Sequence, residues 1–170
     1  MKPLDMSAHL SWDELTKNFH YDPDTGLFTK KALTKYQKER PAGSNSGSEY
    51  TRICINRRVY FAHRLAWYYM TGSPPEKLID HINGDKRDNR FCNLREADYS
   101  QNMMNSKLSS ANTSGCKGVD WVKRKRRWRA TGKIDGKKIY LGLFANKEEA
   151  IKKYQEFAKQ NHGEFFLKTK

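Results

Sequence analysis

The chain has 170 residues, with 33 Lys and Arg against 19 Asp and Glu, a formal net charge of +14 and a pI of about 9.7. That surplus points to nucleic acid or an anionic surface as partner, and the want of any apolar run near the roughly 18 residues that a bilayer demands argues against a spanning role. The opening "MKPLDMSAHLSWDELTK" lacks the basic-then-apolar order of a signal peptide, so a cytoplasmic protein with no membrane partner is expected.

Taken in chain order, "SWDELTKNFHYDPDTGLFTKK" reads as a short amphipathic helix, a "DPDTG" turn and a strand over Leu27 to Lys30. "YTRICINRRVYFAHRLAWYYMTG" follows as a hairpin about Asn56-Arg57, with Ile53, Ile55, Val59 and Phe61 as strand residues. It runs into a helix from about His63, whose Leu65, Ala66, Tyr69 and Met70 are expected to face inward, and Gly72 with Pro74-Pro75 ends it. His63 and Arg64 open that helix, where a phosphate contact and a structural hydrogen bond are the competing readings. His9, His20 and His162 read as structural.

The next stretch, "LIDHINGDKRDNRFCNLREADYSQN", spends more polar residues than any core could use. It reads as a short strand, a loop, a second strand at "NLRE" and a helix starting near Asp98. This order can hold one divalent ion between a strand end and a helix face. Cleaving a phosphodiester needs a water deprotonated in line with the leaving oxygen, and histidine is the side chain whose ordinary pKa suits that base near neutrality. His81 is the candidate base. Oxygen ligands from Asp80 and Asn102 suit Mg²⁺ or Mn²⁺, and Asn93 can bond the imidazole or a nearby backbone group and so fix the ring. Neighbours in a regular strand face opposite ways, so Asp80 and His81 share a site only if the strand ends there. Asp98 and Asn105 lie on Asn102's side of the helix by spacing, and either is an alternative ligand. Arg87, Arg90 and Arg95 are candidate phosphate clamps.

Cys54, Cys92 and Cys116 are widely spaced with no C-x-x-C pair, so neither a disulfide framework nor a structural zinc is expected. "SKLSSANTSGCKG" reads as a linker. The charge divides there: Lys107 to Lys170 holds 17 Lys and Arg against 6 Asp and Glu, and Met1 to Ser106 holds 16 against 13. The positive field belongs to the last third. There "GVDWVKRKRRWRATGKIDGKKIYLGLF" alternates as three paired strands, with Asp135-Gly136 as one turn and "KRKRR" as the longer connection. "NKEEAIKKYQEFAKQNHG" reads as a helix capped by Asn146, with Ala150, Tyr154, Phe157 and Ala158 as its apolar stripe and Gly163 past its end. The helix should cover one face of the sheet and leave the other basic and open to DNA, with Lys and Arg on phosphates or guanine edges.

The first module resembles the HNH (His-Asn-His) nucleases of the ββα-metal class, especially the phage and intron-associated homing endonucleases. The resemblance covers about Tyr50 to Ser106 and rests on "AHRLAW", "IDHINGDKRDNR", "NLR" and "SQN". It implies His81 as general base, Asn93 as its orienting residue, and Asp80 and Asn102 as metal ligands. Asn102 stands where other branches carry histidine, which exchanges an imidazole ligand for an amide oxygen. The second module resembles the APETALA/ethylene-response-factor DNA-binding domain over about Lys117 to Phe166, on "KGV", "WRA", "YLGLF" and the "EEA" helix start ending in "HGEF". This implies DNA contacts from Arg129, Thr131, Lys133, Lys138 and Tyr140 on the exposed sheet face. Lys117 is a further DNA-binding candidate, and the loop residues Arg124, Arg126 and Arg127 read as a nonspecific phosphate patch. Asp120 and Val122 stand where plant members carry arginine, so plant-type base specificity does not carry over.

The expected architecture is α+β: a ββα-metal nuclease module over residues 1–106, a linker at 107–116, and a three-stranded antiparallel sheet packed on one helix over 117–170. The expected function is that of a metal-dependent endonuclease on double-stranded DNA. With one active site per chain it should nick as a monomer, or make paired nicks as a dimer on DNA. The alternative is a DNA-binding regulator with an inactive nuclease module.

Overall fold

A computed structural model of the chain describes residues 6, 8–105, 108, 112–134 and 136–162. Among these it is a mixed α+β protein of small antiparallel sheets and four α-helices. It divides into two compact units, Met1–Asp98 and Tyr99–Lys170. No helix among the described residues is long and apolar enough to cross a membrane.

The first unit opens with helix α1 (Trp12–Asn18), capped by the Ser11 hydroxyl accepting from the Glu14 N–H at 3.1 Å. Strands β1 (Phe19–Asp22), β2 (Leu27–Lys30) and β3 (Arg40–Ala42) form one antiparallel sheet. β4 (Arg52–Ile55) and β5 (Arg58–Phe61) form a hairpin whose turn holds Asn56 and Arg57 at φ 49° and 62°, the backbone sense that matches the twist of the strands. Ile53 and Ile55 are buried as the alternation predicts, but on β5 the buried residue is Tyr60, opposite Ile53, while Val59 and Phe61 are exposed.

Helix α2 (Ala62–Thr71) buries Leu65, Ala66 and Tyr68, and leaves Met70 exposed. Tyr68 takes the inward place because its hydroxyl donates to the Leu10 carbonyl at 3.2 Å, so the ring can be buried without stranding its polar end. Gly72 ends the helix at φ 72°. One core joins Leu10, Leu15, Phe19, Tyr21 and Phe28 to Ile53, Tyr60, Leu65, Tyr68, Ile79 and Leu94. It fixes β6 (Leu78–His81) and β7 (Leu94–Ala97) against the rest.

The second unit holds α3 (Tyr99–Asn105) and the sheet β8 (Val119–Val122), β9 (Arg127–Ile134) and β10 (Lys137–Phe144), ordered β10-β9-β8, with α4 (Lys147–His162) on one face. Val119 and Ala130 pack with Ala150, Tyr154 and Ala158. A methyl on Gly132 would come within 2.1 Å of Phe157, so the helix lies close on this face because β9 has no side chain there. Register shifts between Tyr140 and Gly142, an irregularity that strict alternation does not anticipate. Within the stretch read as linker, Asn112 and Ser114 bond the Cys116 carbonyl at 2.9 and 2.8 Å, and Cys116 is buried in this core. Asp135, Gly163 and the "GEF" of the "HGEF" motif lie outside the described residues.

Candidate active site

β6 ends at His81, the position at which the strand rule lets Asp80 and His81 share a site. Both are buried. Their immediate partners differ. Asp80 stands across from Arg95 in the β6–β7 register, and the Arg95 Nε and Nη2 both donate to Asp80 Oδ2, at 3.0 and 2.9 Å. His81, 4% exposed, meets Asn89: its Nε2 lies 3.1 Å from Asn89 Oδ1.

That bond sets the histidine tautomer. The Asn89 Nδ2 donates to the Arg87 carbonyl at 3.2 Å, which leaves its Oδ1 toward the ring. An amide oxygen only accepts, so Nε2 carries the proton and the basic lone pair falls on Nδ1. Burial also lowers the His81 pKa below its ordinary 6.5, opposed by the Asn89 bond and by the nearby carboxylates of Asp80, Asp85 and Asp88. A neutral imidazole at neutral pH is the form a general base needs.

Asn89 escapes sequence reasoning because an asparagine between Asp88 and Arg90 looks like one more surface residue, yet it is only 3% exposed. It is held from the first sheet. Tyr21 donates to the Asn89 carbonyl at 2.7 Å, and the Phe91 N–H donates to the Pro23 carbonyl at 2.9 Å. Gly26, at φ 73°, lets the "DPDTG" turn lie against the Asn89–Arg90 backbone: a Cβ there would come within 2.4 Å of Arg90 N and of Asn89 C. The turn thus buttresses the loop that fixes the imidazole.

Asn93 works on the same loop from the other end. Its Oδ1 accepts from the Asn83 N–H at 3.0 Å, and its Nδ2 donates to the Asp88 carbonyl at 2.8 Å and to Asn83 Oδ1 at 3.1 Å. Of its two options, these bonds are to the loop; Asn89 is the amide seen at the ring. The Arg90 guanidinium lies on Asp88, at 2.8 and 2.6 Å, and holds that carboxyl at about 2, well below the usual range. Arg87 is exposed, while Arg95 is largely covered on Asp80. Lys86 pairs with Glu49 and lies 5.0 Å over the Tyr50 ring. Arg64 donates to the carbonyls of Lys77 and Pro75 at 3.3 Å each, which ties α2 to the entry of β6.

Among the described residues no group of three or more His, Cys, Asp and Glu side chains could hold a metal ion. Asp98 is exposed at the end of the first unit. Asn102 lies on α3 in the second unit, and the side chain of Asn105 lies outside what is described.

In the second unit, β8–β9–β10 pairing sets Arg129 beside Asp120, Thr131 beside Tyr140, and Lys133 beside Lys138, all on the face away from α4. Lys133, Lys138 and Tyr140 are exposed, but Thr131 is only 9% exposed, its N–H donating to the Gly118 carbonyl at 2.7 Å. Arg129 grips Asp120 through Nε and Nη2 at 3.1 and 2.8 Å. Arg124, Arg126 and Arg127 are exposed around a 3-10 turn at Lys123–Lys125, with Arg126 at φ 50°. The Lys117 ammonium donates to the Met103 carbonyl at 3.4 Å.

Residues 60–104 match the family model described as HNH endonuclease. The segment runs from the last two residues of β5 through α2 and both strands of the β6–β7 hairpin with its loop, and into α3. The match supports a nuclease and implies DNA as its substrate class. The chain is 38% identical over 76 residues to Protein 3.8 of Escherichia phage T7, which spans 44% of this chain and 63% of that protein. No solved structure matches the chain.

Proposed function

We propose that this protein is a metal-dependent DNA endonuclease of the phage or mobile-element homing type, acting in the host cytoplasm. The observation that carries the reading is the buried His81, held in one tautomer by Asn89 within the segment that matches the HNH endonuclease family. His81 Nδ1 takes a proton from water. The water oxygen attacks phosphorus as the bond to the 3′ oxygen breaks, leaving a 5′ phosphate and a 3′ oxygen that takes a proton from solvent to become the hydroxyl. Asn83, Asn89 and Asn93 keep the loop and ring still through this exchange, and Arg87 with Arg90 neutralises the incoming backbone.

Asp80 and Asn102 are the proposed metal ligands, supported by the order of strand, loop, strand and helix that defines a ββα unit. A carboxylate and an amide oxygen are hard donors and fit Mg²⁺ or Mn²⁺, although Arg95 already engages one Asp80 oxygen and would have to share it. When bound, such an ion neutralises charge at the phosphate and the leaving oxygen. The APETALA-like sheet face, with Arg129, Lys133, Lys138 and Tyr140, supports a role in holding duplex DNA for the nuclease module, and nicking by a monomer is the expected outcome.

The Arg95–Asp80 pair is also the observation that favours a second reading, a DNA-binding regulator with an inactive nuclease module. Supercoiled plasmid incubated with Mg²⁺ or Mn²⁺, with EDTA as control, separates the two. Nicking by the wild type that is lost in His81→Ala while DNA binding persists supports the nuclease. Binding without cleavage under every metal, on DNA that includes the native source sequence, supports the regulator.

A further inference from the structure

The loop after His81 carries a cation that residue order does not set apart from its neighbours. Arg90 is clasped by Asp88 through Nε and Nη2, and Arg95 is covered on Asp80. Lys86 is held differently. Its ammonium donates to Oε2 of Glu49, whose side chain is 75% exposed, and it also lies over the face of the Tyr50 ring, 5.0 Å from the centroid. The Glu49 bond raises the Lys86 pKa against a smaller opposing effect of burial, so the group is charged near neutral pH.

Tyr50 fixes that charge relative to the candidate base. Its centroid lies 5.4 Å from that of Phe61, 5.3 Å from His63 and 6.2 Å from His81. His63 is 7% exposed and, among the described residues, its Nδ1 has no hydrogen-bond partner. What its ring gives the site is contact: Phe61 stacks on it at 5.5 Å and His81 meets it edge to face at 5.0 Å. The Lys86 ammonium and the His81 imidazole therefore rest on one block of aromatic rings, with the cation drawn to a ring face. A DNA strand carries one charge per roughly 3.4 Å of its axis. A strand with one phosphate at His81 thus brings a neighbouring phosphate within reach of Lys86.

Stability does not account for the Lys86–Glu49 pair. Exposed ion pairs contribute little, because water screens them and both side chains lose freedom. A phosphate offers the same ammonium a charged acceptor with several oxygens. We infer that Lys86 is a phosphate-binding residue of the nuclease site, seating a phosphate beside the one that is cut, and that Glu49 occupies its ammonium until DNA displaces it. The carboxylate is an internal competitor for the seat. The inference rests on the nuclease reading above for the course of the strand past His81.

The test uses the full chain as wild type, Lys86→Met, Lys86→Arg, Glu49→Gln and the Met/Gln double variant. Duplex binding is measured over a salt series in EDTA, with thermal melting and single-turnover nicking in Mg²⁺ or Mn²⁺ alongside. Lys86→Met should bind several-fold more weakly and reduce the salt slope by about one, and Lys86→Arg should restore most of both. Glu49→Gln should bind about two- to fivefold more tightly, what releasing an exposed ion pair returns, and nick no more slowly. That gain should largely vanish when Met stands at position 86. A purely structural tie gives Glu49→Gln the opposite sign, with lower melting and weaker binding, and that result overturns the inference. So does an unchanged salt slope in Lys86→Met, or a Glu49→Gln gain that is the same with Met at position 86. Should Lys86→Met not fold, the sign of the Glu49→Gln effect decides alone. A wild type that binds but nicks with no metal tried overturns the nuclease reading, while the binding measurements still decide whether Lys86 seats a phosphate.

Discussion

Replacing Asn89 with alanine removes the acceptor under His81 while leaving both histidine rings in place. Two bonds are lost, one of 3.1 Å to the imidazole and one of 3.2 Å to the Arg87 carbonyl. His81 is 4% exposed, so water does not readily replace the lost oxygen. An unsatisfied buried N–H costs about 1–3 kcal/mol. The ring can escape that cost by moving its proton to Nδ1, but this hides the lone pair that the reaction uses. Restoring the productive tautomer then takes back the same free energy, which corresponds to about 10- to 100-fold in the cleavage step. Single-turnover nicking, with urea unfolding alongside, measures both. Asn89→Asp sharpens the test, because it keeps the acceptor and adds a negative charge beside the ring. A carboxylate favours the protonated imidazole and raises the His81 pKa. The base must be neutral to act, so the acidic limb of the pH–rate profile should move to higher pH than in the wild type, where burial places it below 6.5. Nicking by Asn89→Ala at the wild-type rate would refute the tautomer argument, whatever its stability.

Stability should carry a second histidine signature. An unfolded histidine protonates near 6.5 whereas buried His63 holds out to about 3, so the unfolded state binds the extra proton and folding weakens as pH falls below 6.5. The loss is about 2 kcal/mol by pH 5, and His63→Phe should lose that much less between pH 7 and pH 5 in urea unfolding; equal losses would sink the assignment. Gly26→Ala forces a Cβ to within 2.4 Å of the Asn89–Arg90 backbone at a φ of 73°, where backbone has no rotamer to yield. It should lower melting temperature and nicking together, and a variant that keeps both would show that the turn does not support the loop. Arg129→Ala and Lys133→Ala should each weaken DNA binding at all sequences and reduce the salt slope by about one. Unchanged slopes would remove the sheet face from the DNA contact.

Much of this protein is legible from residue order because its signals are local. The Asn56-Arg57 hairpin, the Gly72 helix end, the alternation that sends Val119 and Ala130 to one side of a sheet and Arg129 and Lys133 to the other, and the charged loop after His81 all follow from backbone preference and period. The same locality explains where the structure departs from the sequence pattern. Tyr68 displaces Met70 from the inner face of α2 because a carbonyl 58 residues away takes its hydroxyl. Arg95 looked like a phosphate clamp, and its placement on Asp80 depends on a cross-strand register. The site itself divides along this line. His81 and Asp80 are marked by chemistry that stands out in a loop, and sequence alone nominated them. Asn89 has no such mark, and at His63 residue order leaves a phosphate contact and a structural hydrogen bond undecided, since a polar residue reveals a function only through what surrounds it. Only packing brings Tyr21, Pro23 and Gly26 under the Asn89 loop, and only packing closes three aromatic rings on His63 and leaves its nitrogen without a partner.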